Sequence, residues 1–253
     1  MQRRSRNHDK YKCSLKIIID TIMEEKLTKS GIKAFLAPIR WIIVTGLVFF
    51  LASGEISILR AWIYIGVYAI GGLIIGIMLL NKSPKLLNDR GKMQEGTKQF
   101  DKYIILTYFF FAIVITPFVA GIDIRLYFSE VLPFFYLYIG IILYIFSAIF
   151  SIWPMLHNPF FEGTVRIQKE KNHNVINTGP YKIVRHPGYL GMLLGSISLP
   201  LALGSVLAFI PLFIIIILIF VRTYYEDTTL QKELTGYTEY CKEVKHRLIP
   251  FIW

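Results

Sequence analysis

Residues 186–221, HPGYLGMLLGSISLPLALGSVLAFIPLFIIIILIFV, decide the fold, because these 36 residues contain no Lys, Arg, Asp or Glu. As one helix they would extend about 54 Å at ~1.5 Å per residue, too long for a single crossing of a ~30 Å hydrocarbon core. The stretch is interrupted by helix-breaking residues: Pro200, Gly204 and Pro211. We therefore predict a hairpin of two membrane helices, at about 189–203 and 206–222.

Four further apolar blocks precede the hairpin, at roughly 38–53, 61–80, 103–120 and 133–153. Each has about the length that a membrane-spanning helix needs. The whole chain is 54% hydrophobic with a mean hydropathy of +0.51, values that soluble domains of this length rarely reach. The sequence therefore predicts an all-α, polytopic membrane helical bundle with about six membrane segments, flanked by amphipathic N- and C-terminal helices.

The net charge of +11 is distributed unevenly along the chain. With six spans, 25 of the 28 Lys and Arg residues fall in segments on one side of the membrane: 1–37, 81–102, 154–188 and 222–253. This positive-inside pattern predicts that both termini are cytosolic, and it accounts for the basic excess without nucleic acid as a partner. The alternative for residues 186–221 is one long kinked helix, which would place the C-terminus outside.

The chain divides into three predicted regions. Residues 1–37 read as a basic arm and an interfacial amphipathic helix, residues 38–153 as four transmembrane helices, and residues 154–253 as the region that carries the chemistry. The loop 81–102 is predicted to be a solvated connection without a chemical role. After the hairpin, apolar residues recur at steps of three and four, with a possible break at Gly236. They are Leu230, Leu234, Tyr237, Cys241, Val244 and Leu248.

Neither cysteine suggests a disulfide or a metal site. Cys13 and Cys241 both fall in segments predicted to be cytosolic, where thiols stay reduced. The Cys and His residues show no spacing typical of metal ligands, so no metal is expected.

A first polar cluster lies where the chain enters the hairpin. Arg185 and His186 are the last cationic or titratable groups before the membrane. Pro187 disfavours a helical conformation at His186. Gly188 permits close backbone approach, and the first turn from Tyr189 has free amide groups and a positive dipole end. This mouth would suit a carboxylate or phosphate. The alternative is a basic anchor at the membrane interface, with Tyr181 and Tyr189 as aromatic-belt residues.

A second polar cluster, Arg222, Glu226 and Asp227, lies at the end of the hairpin. Arg222 and Glu226 are four residues apart and could simply form a local ion pair on one helix face. However, adjacent carboxylates at a bilayer boundary need a cationic partner. A hairpin would return this cluster to the same face as Arg185 and His186, whereas one long helix would separate them.

These residues resemble a known family. The stretch from Arg185 to Tyr189 reads Arg-His-Pro-Gly-Tyr, and the hairpin is followed by Glu226-Asp227, a Gly-x-x-Tyr-x-x-Tyr segment and Arg247-Leu-Ile-Pro. That order is similar to the integral-membrane methyltransferases of the isoprenylcysteine carboxyl methyltransferase and phospholipid methyltransferase superfamily, whose pattern has a Glu-Glu pair after the hairpin. The resemblance covers about residues 158–253. Asp227 departs from this pattern, since its side chain is one methylene shorter than that of a glutamate.

The resemblance implies S-adenosylmethionine as cofactor and a lipophilic acceptor that enters from the bilayer, in a multi-pass protein expected in the plasma membrane of a prokaryote. Arg222 and Glu226 are the expected catalytic residues, and Arg185 or Arg222 could hold the cofactor's carboxylate in a bidentate fork. An acceptor carboxylate would need no base, and Arg222 could orient it. For an amine acceptor, Glu226 or His186 would be the base. The expected cofactor-binding residues are Gly179, Pro180, Tyr181, Arg185, His186, Pro187, Tyr189, Glu226 and Asp227.

Two other classes of function remain open. Membrane sterol and steroid reductases resemble this superfamily in their hairpin but bind NADPH, whose phosphates the pair Glu226-Asp227 would repel. A transporter or other non-enzymatic membrane protein is the second alternative. Ion-coupled transporters usually need ionisable residues inside their spans, and the predicted spans contain almost none.

Overall fold

The computed structural model describes residues 27–253. The predicted basic arm and most of the predicted N-terminal amphipathic helix lie outside the described residues. The elements are helical and short 3₁₀ turns occur at Lys169–Lys171 and Gly179–Lys182. The helices are α1 (Lys29–Ser53), α2 (Leu59–Lys82), α3 (Pro84–Arg90), α4 (Gln99–Phe110), α5 (Thr116–Leu126), α6 (Phe135–His157), α7 (Pro187–Leu203), α8 (Phe209–Glu233) and α9 (Tyr237–Glu243). A π-helical turn, Phe111–Ile115, joins α4 to α5.

The predicted membrane bundle is confirmed. Five helices within residues 27–253 are long and apolar enough to cross a membrane: α1, α2, α4 with α5, α6 and α8. Helix α7 is shorter, with 17 residues, and at ~1.5 Å per residue it extends about 26 Å. With α7 counted, the bundle has the six segments that the sequence predicts, and large apolar side chains such as Leu51 and Phe213 remain exposed on its outer surface.

The C-terminal hairpin is also confirmed, with shifted bounds. Helix α7 ends at Gly204, which adopts a left-handed conformation (φ 83°) and donates its N–H to the carbonyl of Pro200. Glycine suits this position because a side chain is disfavoured at positive φ. Helix α8 then begins at Phe209 and continues to Glu233, so the polar residues from Arg222 onward extend the same helix beyond the apolar stretch.

Small residues bring α6 and α7 together. Gly140 of α6 lies against Ser198 and Ala202, and a Cβ atom added there would lie 2.8 Å from the Ser198 carbonyl oxygen. Gly191 and Gly195 of α7 meet α6 in the same way near Ser147. Since lipid supplies little hydrophobic force between membrane helices, such close backbone approach is a main source of their packing energy.

The C-terminal tail closes one end of the bundle. The predicted stripe breaks at Gly236 (φ 84°), after which α9 buries Tyr237 and Tyr240. Further on, the backbone N–H groups of Arg185 and His186 donate to the carbonyls of residues 246 and 247, at 3.0 and 2.9 Å. The tail is thus bonded directly to the segment that begins the hairpin, and this contact positions the first polar cluster.

Candidate active site

A cavity of about 800 Å³ opens at the end of the bundle where α7 begins and the polar half of α8 lies. Its polar part is lined by Tyr181, Arg185, His186, Tyr189, Arg222 and Glu226. From there the cavity continues between the membrane helices, where aromatic side chains line it: Trp41, Tyr68, Phe109 and Tyr144. The structure therefore brings the two predicted polar clusters together and connects them to an apolar space.

Asp227 is the centre of a buried network. Its carboxylate accepts hydrogen bonds from Arg185 Nε and Nη2 at 2.8 and 3.0 Å, and from Arg247 Nε at 2.9 Å. It also accepts from the Tyr237 hydroxyl at 3.0 Å and lies 3.2 Å from His186 Nε2. The side chain is fully buried and does not line the cavity. The nearby carboxylate raises the pKa of Arg185, against the opposing effect of burial. Asp227 therefore holds the cavity wall in place.

Arg222 does not form the local ion pair with Glu226 that its spacing allowed. It binds Asp101 instead, with Nε–Oδ1 at 2.6 Å and Nη2–Oδ2 at 3.2 Å, and both side chains are buried. Arg222 Nη2 also donates to the carbonyl of Gly163 at 2.9 Å. Asp101 accepts in addition from the backbone N–H of Val165. One ion pair thus joins α4, α8 and the loop after α6.

Glu226 differs from Asp227 in its surroundings. It lines the cavity, is partly exposed, and accepts a hydrogen bond from the Tyr189 hydroxyl. The ring of Tyr189 stacks on the His186 ring with centroids 5.7 Å apart and an angle of 9°. The guanidinium carbon of Arg222 lies 4.9 Å from the Tyr189 ring centroid. Tyr189 therefore links the cation, the imidazole and the carboxylate that face the cavity.

The 3₁₀ turn before α7 forms part of the cavity wall. Tyr181 accepts from Asn158 Nδ2 at 3.0 Å through its hydroxyl, and its backbone carbonyl accepts from the Tyr240 hydroxyl at 2.6 Å. Burial raises the pKa of Tyr181, so this phenol stays neutral. Gly179 (φ 58°) leaves no room for a side chain, because an added Cβ would lie 2.4 Å from the His157 ring.

The predicted site residues thus separate into two groups. The residues that line the cavity are Tyr181, Arg185, His186, Pro187, Tyr189, Arg222 and Glu226. Those that lie behind its wall are Gly179, Pro180 and Asp227. Within the described residues there is no cluster of His, Cys, Asp or Glu that could hold a metal ion.

The prediction that loop 81–102 is a solvated connection is wrong, because part of it packs against the bundle. Within it, Arg90 lines the cavity and Asp101 binds Arg222. Leu86 and Leu87 of α3 are buried. This apolar pair in a loop otherwise read as polar was the available signal that the segment packs against the bundle.

The C-terminal half of the chain is similar to known proteins. The model of the isoprenylcysteine carboxyl methyltransferase (ICMT) family matches residues 140–232. The chain is 29% identical over 94 residues to the probable protein-S-isoprenylcysteine O-methyltransferase of Oryza sativa subsp. indica, and 30% identical over 95 residues to protein-S-isoprenylcysteine O-methyltransferase B of Arabidopsis thaliana. Each match covers 36% of this chain and about half of the relative, 49% and 47% respectively.

A relative of a different activity is also similar. The Delta(14)-sterol reductase TM7SF2 of Mus musculus is 32% identical over 99 residues, which is 38% of this chain and 24% of the reductase. The family model and the plant relatives nevertheless agree with the motifs around Arg185 and Glu226. The resemblance predicted from those motifs is thus confirmed, since residues 140–232 of the chain match the model of the isoprenylcysteine carboxyl methyltransferase family.

Proposed function

We propose that the chain is an integral-membrane methyltransferase that moves a methyl group from S-adenosylmethionine to a lipophilic or lipid-anchored acceptor. One observation carries the proposal: a single cavity joins the polar residues around Glu226 to the aromatic-lined space between the membrane helices. A water-soluble, charged donor suits the first part, and a hydrophobic acceptor suits the second. The positive-inside charge pattern supports a cytosolic polar end.

The side chains at the polar end fit a sulfonium donor. Bound S-adenosylmethionine would supply a methyl group on a positively charged sulfur. The carboxylate of Glu226 and the ring of Tyr181 favour a positive charge near them. Because methyl transfer is an in-line displacement, these residues act by holding the two reacting atoms in contact and alignment.

Arg222 and Glu226 are the residues that we assign to the reacting centre. Asp101 holds Arg222 through Nε and Nη2, which leaves Nη1 without a bond to Asp101 and able to orient an acceptor carboxylate. An acceptor amine would need a base, and Glu226 is better placed than His186. Its carboxylate lies on the cavity, whereas His186 Nε2 faces Asp227.

Sterol reduction with NADPH is the second candidate, because the mouse sterol reductase is 32% identical to this chain over 99 residues. The expectation that Glu226 and Asp227 together repel the NADP phosphates is weakened by the structure. The charge of Asp227 is compensated by Arg185 and Arg247, so Glu226 alone faces the cavity. Ligand binding therefore decides between the two functions.

The test is calorimetric titration of the detergent-purified full chain with S-adenosylhomocysteine and, separately, NADPH. We expect micromolar binding of the first and none of the second, followed by transfer of labelled methyl to N-acetyl-S-farnesylcysteine or to an ethanolamine lipid. Glu226→Gln should abolish methyl transfer. Glu233→Gln is the matched control on α8, since Glu233 forms an exposed ion pair with Lys98. Binding of NADPH instead would replace the proposal with the reductase function.

A further inference from the structure

Arg90, the last residue of α3, carries a charge that the cavity leaves unpaired. Its Nη1 donates to the backbone carbonyls of Phe161 and Glu162 at 3.2 and 3.4 Å, which are long hydrogen bonds. Its guanidinium carbon lies 5.3 Å from the Phe161 ring centroid. Within residues 27–253, Arg90 forms no ion pair with a carboxylate, although it lines the polar part of the cavity.

Four other arginines at this end of the bundle contact carboxylates. Each binds a carboxylate at 2.6 to 2.9 Å. They are Arg166 with Glu162, Arg185 and Arg247 with Asp227, and Arg222 with Asp101. Arg90 contacts the backbone carbonyl of Glu162 but not its carboxylate. Arg166 binds both oxygens of that carboxylate, and Lys171 binds one of them.

The position of Arg90 is unfavourable for a cation without a ligand. Burial and the positive charge of Arg222 together lower its pKa to about 10, against the opposing effect of the Glu162 carboxylate. Arg90 is only partly exposed to solvent, and withdrawing a charge from water is costly unless the charge is paired. Lys33, Arg40 and Lys92 line the same cavity, so its opening attracts anions. A site with these properties binds an anionic group.

The hydrogen bonds of Arg90 alone do not explain an arginine here. The two long bonds to main-chain carbonyls would be made equally well by a neutral amide side chain. Helix α3 is already held in place without them, since Leu86 and Leu87 are buried and Ser30 of α1 donates to the carbonyl of residue 88 at 2.7 Å. The charge is therefore the property that requires a function.

We propose that Arg90 binds the carboxylate of a ligand in the cavity, either the amino-acid end of the methyl donor or a carboxylate on the acceptor. This proposal rests on the proposed methyltransferase function and adds a specificity-determining residue to it. Arg90 lies outside residues 140–232, so it comes from the part of the chain that the family model does not match. Its planar fork suits bidentate recognition of a carboxylate.

The test compares the wild-type full chain with Arg90→Gln, using two pairs of ligands that differ in a carboxylate. The first pair is S-adenosylhomocysteine and 5′-methylthioadenosine, which lacks the amino-acid end. The second is N-acetyl-S-farnesylcysteine and its methyl ester. Lys85→Gln is the control, because Lys85 is exposed on the same helix and does not line the cavity.

We expect Arg90→Gln to weaken the carboxylate member of one pair about tenfold or more and to leave its neutral partner within about twofold. A loss for S-adenosylhomocysteine places the cofactor carboxylate on Arg90, and a loss for the farnesylcysteine acid places the acceptor carboxylate there. Unchanged affinities, or equal losses for both members of a pair, would overturn the proposal. If instead the wild-type chain fails to bind S-adenosylhomocysteine at all, it is the proposed function that fails.

Discussion

Glu226 and Asp227 are adjacent in sequence, but the structure gives their carboxylates different surroundings, and this leads to a sharp prediction. Asp227→Asn should destabilise the fold, whereas Glu226→Gln should leave the fold intact and remove activity. Asp227 is fully buried and accepts from two arginines, a tyrosine and Gln231. Glu226 is partly exposed and, within residues 27–253, accepts a hydrogen bond from Tyr189 alone.

The expected loss of stability depends on the partner that each substitution deprives of its counter-charge or hydrogen bond. Asp227→Asn leaves Arg185, which is 7% exposed, without a counter-charge. Breaking one side of a buried ion pair costs about 3–5 kcal/mol. For a chain of this size, about 2–4 °C of melting temperature corresponds to each kcal/mol, so the expected loss is roughly 6–20 °C. Glu226→Gln retains an acceptor for Tyr189 and should cost at most about 1 kcal/mol.

The assay is thermal melting in detergent at a fixed scan rate, combined with titration of S-adenosylhomocysteine. The reasoning is refuted if Asp227→Asn melts within about 2 °C of the wild type and still loses cofactor affinity. In that case Asp227 would contact the cofactor, as the family resemblance implies for the second acidic residue of the pair.

Three further changes test other parts of the site. Asp101→Asn leaves Arg222 buried without its counter-charge and should lower the free energy of unfolding by about 3–5 kcal/mol. Adding Arg222→Met should restore part of that stability in melting experiments. The absence of any recovery would contradict the pairing. Gly91→Ala places a Cβ 1.7 Å from a backbone oxygen of α1 and should lower the free energy of unfolding by at least ~1–3 kcal/mol. Gly163→Ala is the control, because an added Cβ there has no neighbour within 4 Å, and its stability should stay within ~1 kcal/mol of the wild type. Burial lowers the pKa of His173 in the folded protein. Folding therefore favours the neutral imidazole, and this contribution to stability is fully present above the unfolded pKa of about 6.5. It is lost as the pH falls through the pKa of the folded state. His173→Gln should therefore flatten the decrease in melting temperature between pH 7 and 5, and an unchanged slope would argue against it.

Much of the architecture could be predicted from local properties of the sequence. Hydropathy and length identify the spans because each segment's transfer into the membrane depends on its own composition. Pro200 and Gly204 located the turn of the hairpin, since they act on the backbone of their own segment. The motifs around Arg185 and Glu226 identified the family, and the hairpin explained why the two clusters meet.

The ion pairs could be decided only by the tertiary structure. Arg222 and its partner Asp101 are 121 residues apart, and Glu226 at a spacing of four was the partner that sequence favoured. Likewise, nothing local distinguishes Asp227 behind the cavity wall from Glu226 on the cavity, because neighbouring positions on a helix point in different directions. Arg90 became a site residue only when α3 packed against α1 and the loop after α6. Composition and periodicity determine which segments enter the membrane, whereas the packing of distant segments determines which charges are neutralised and which remain free to bind a ligand.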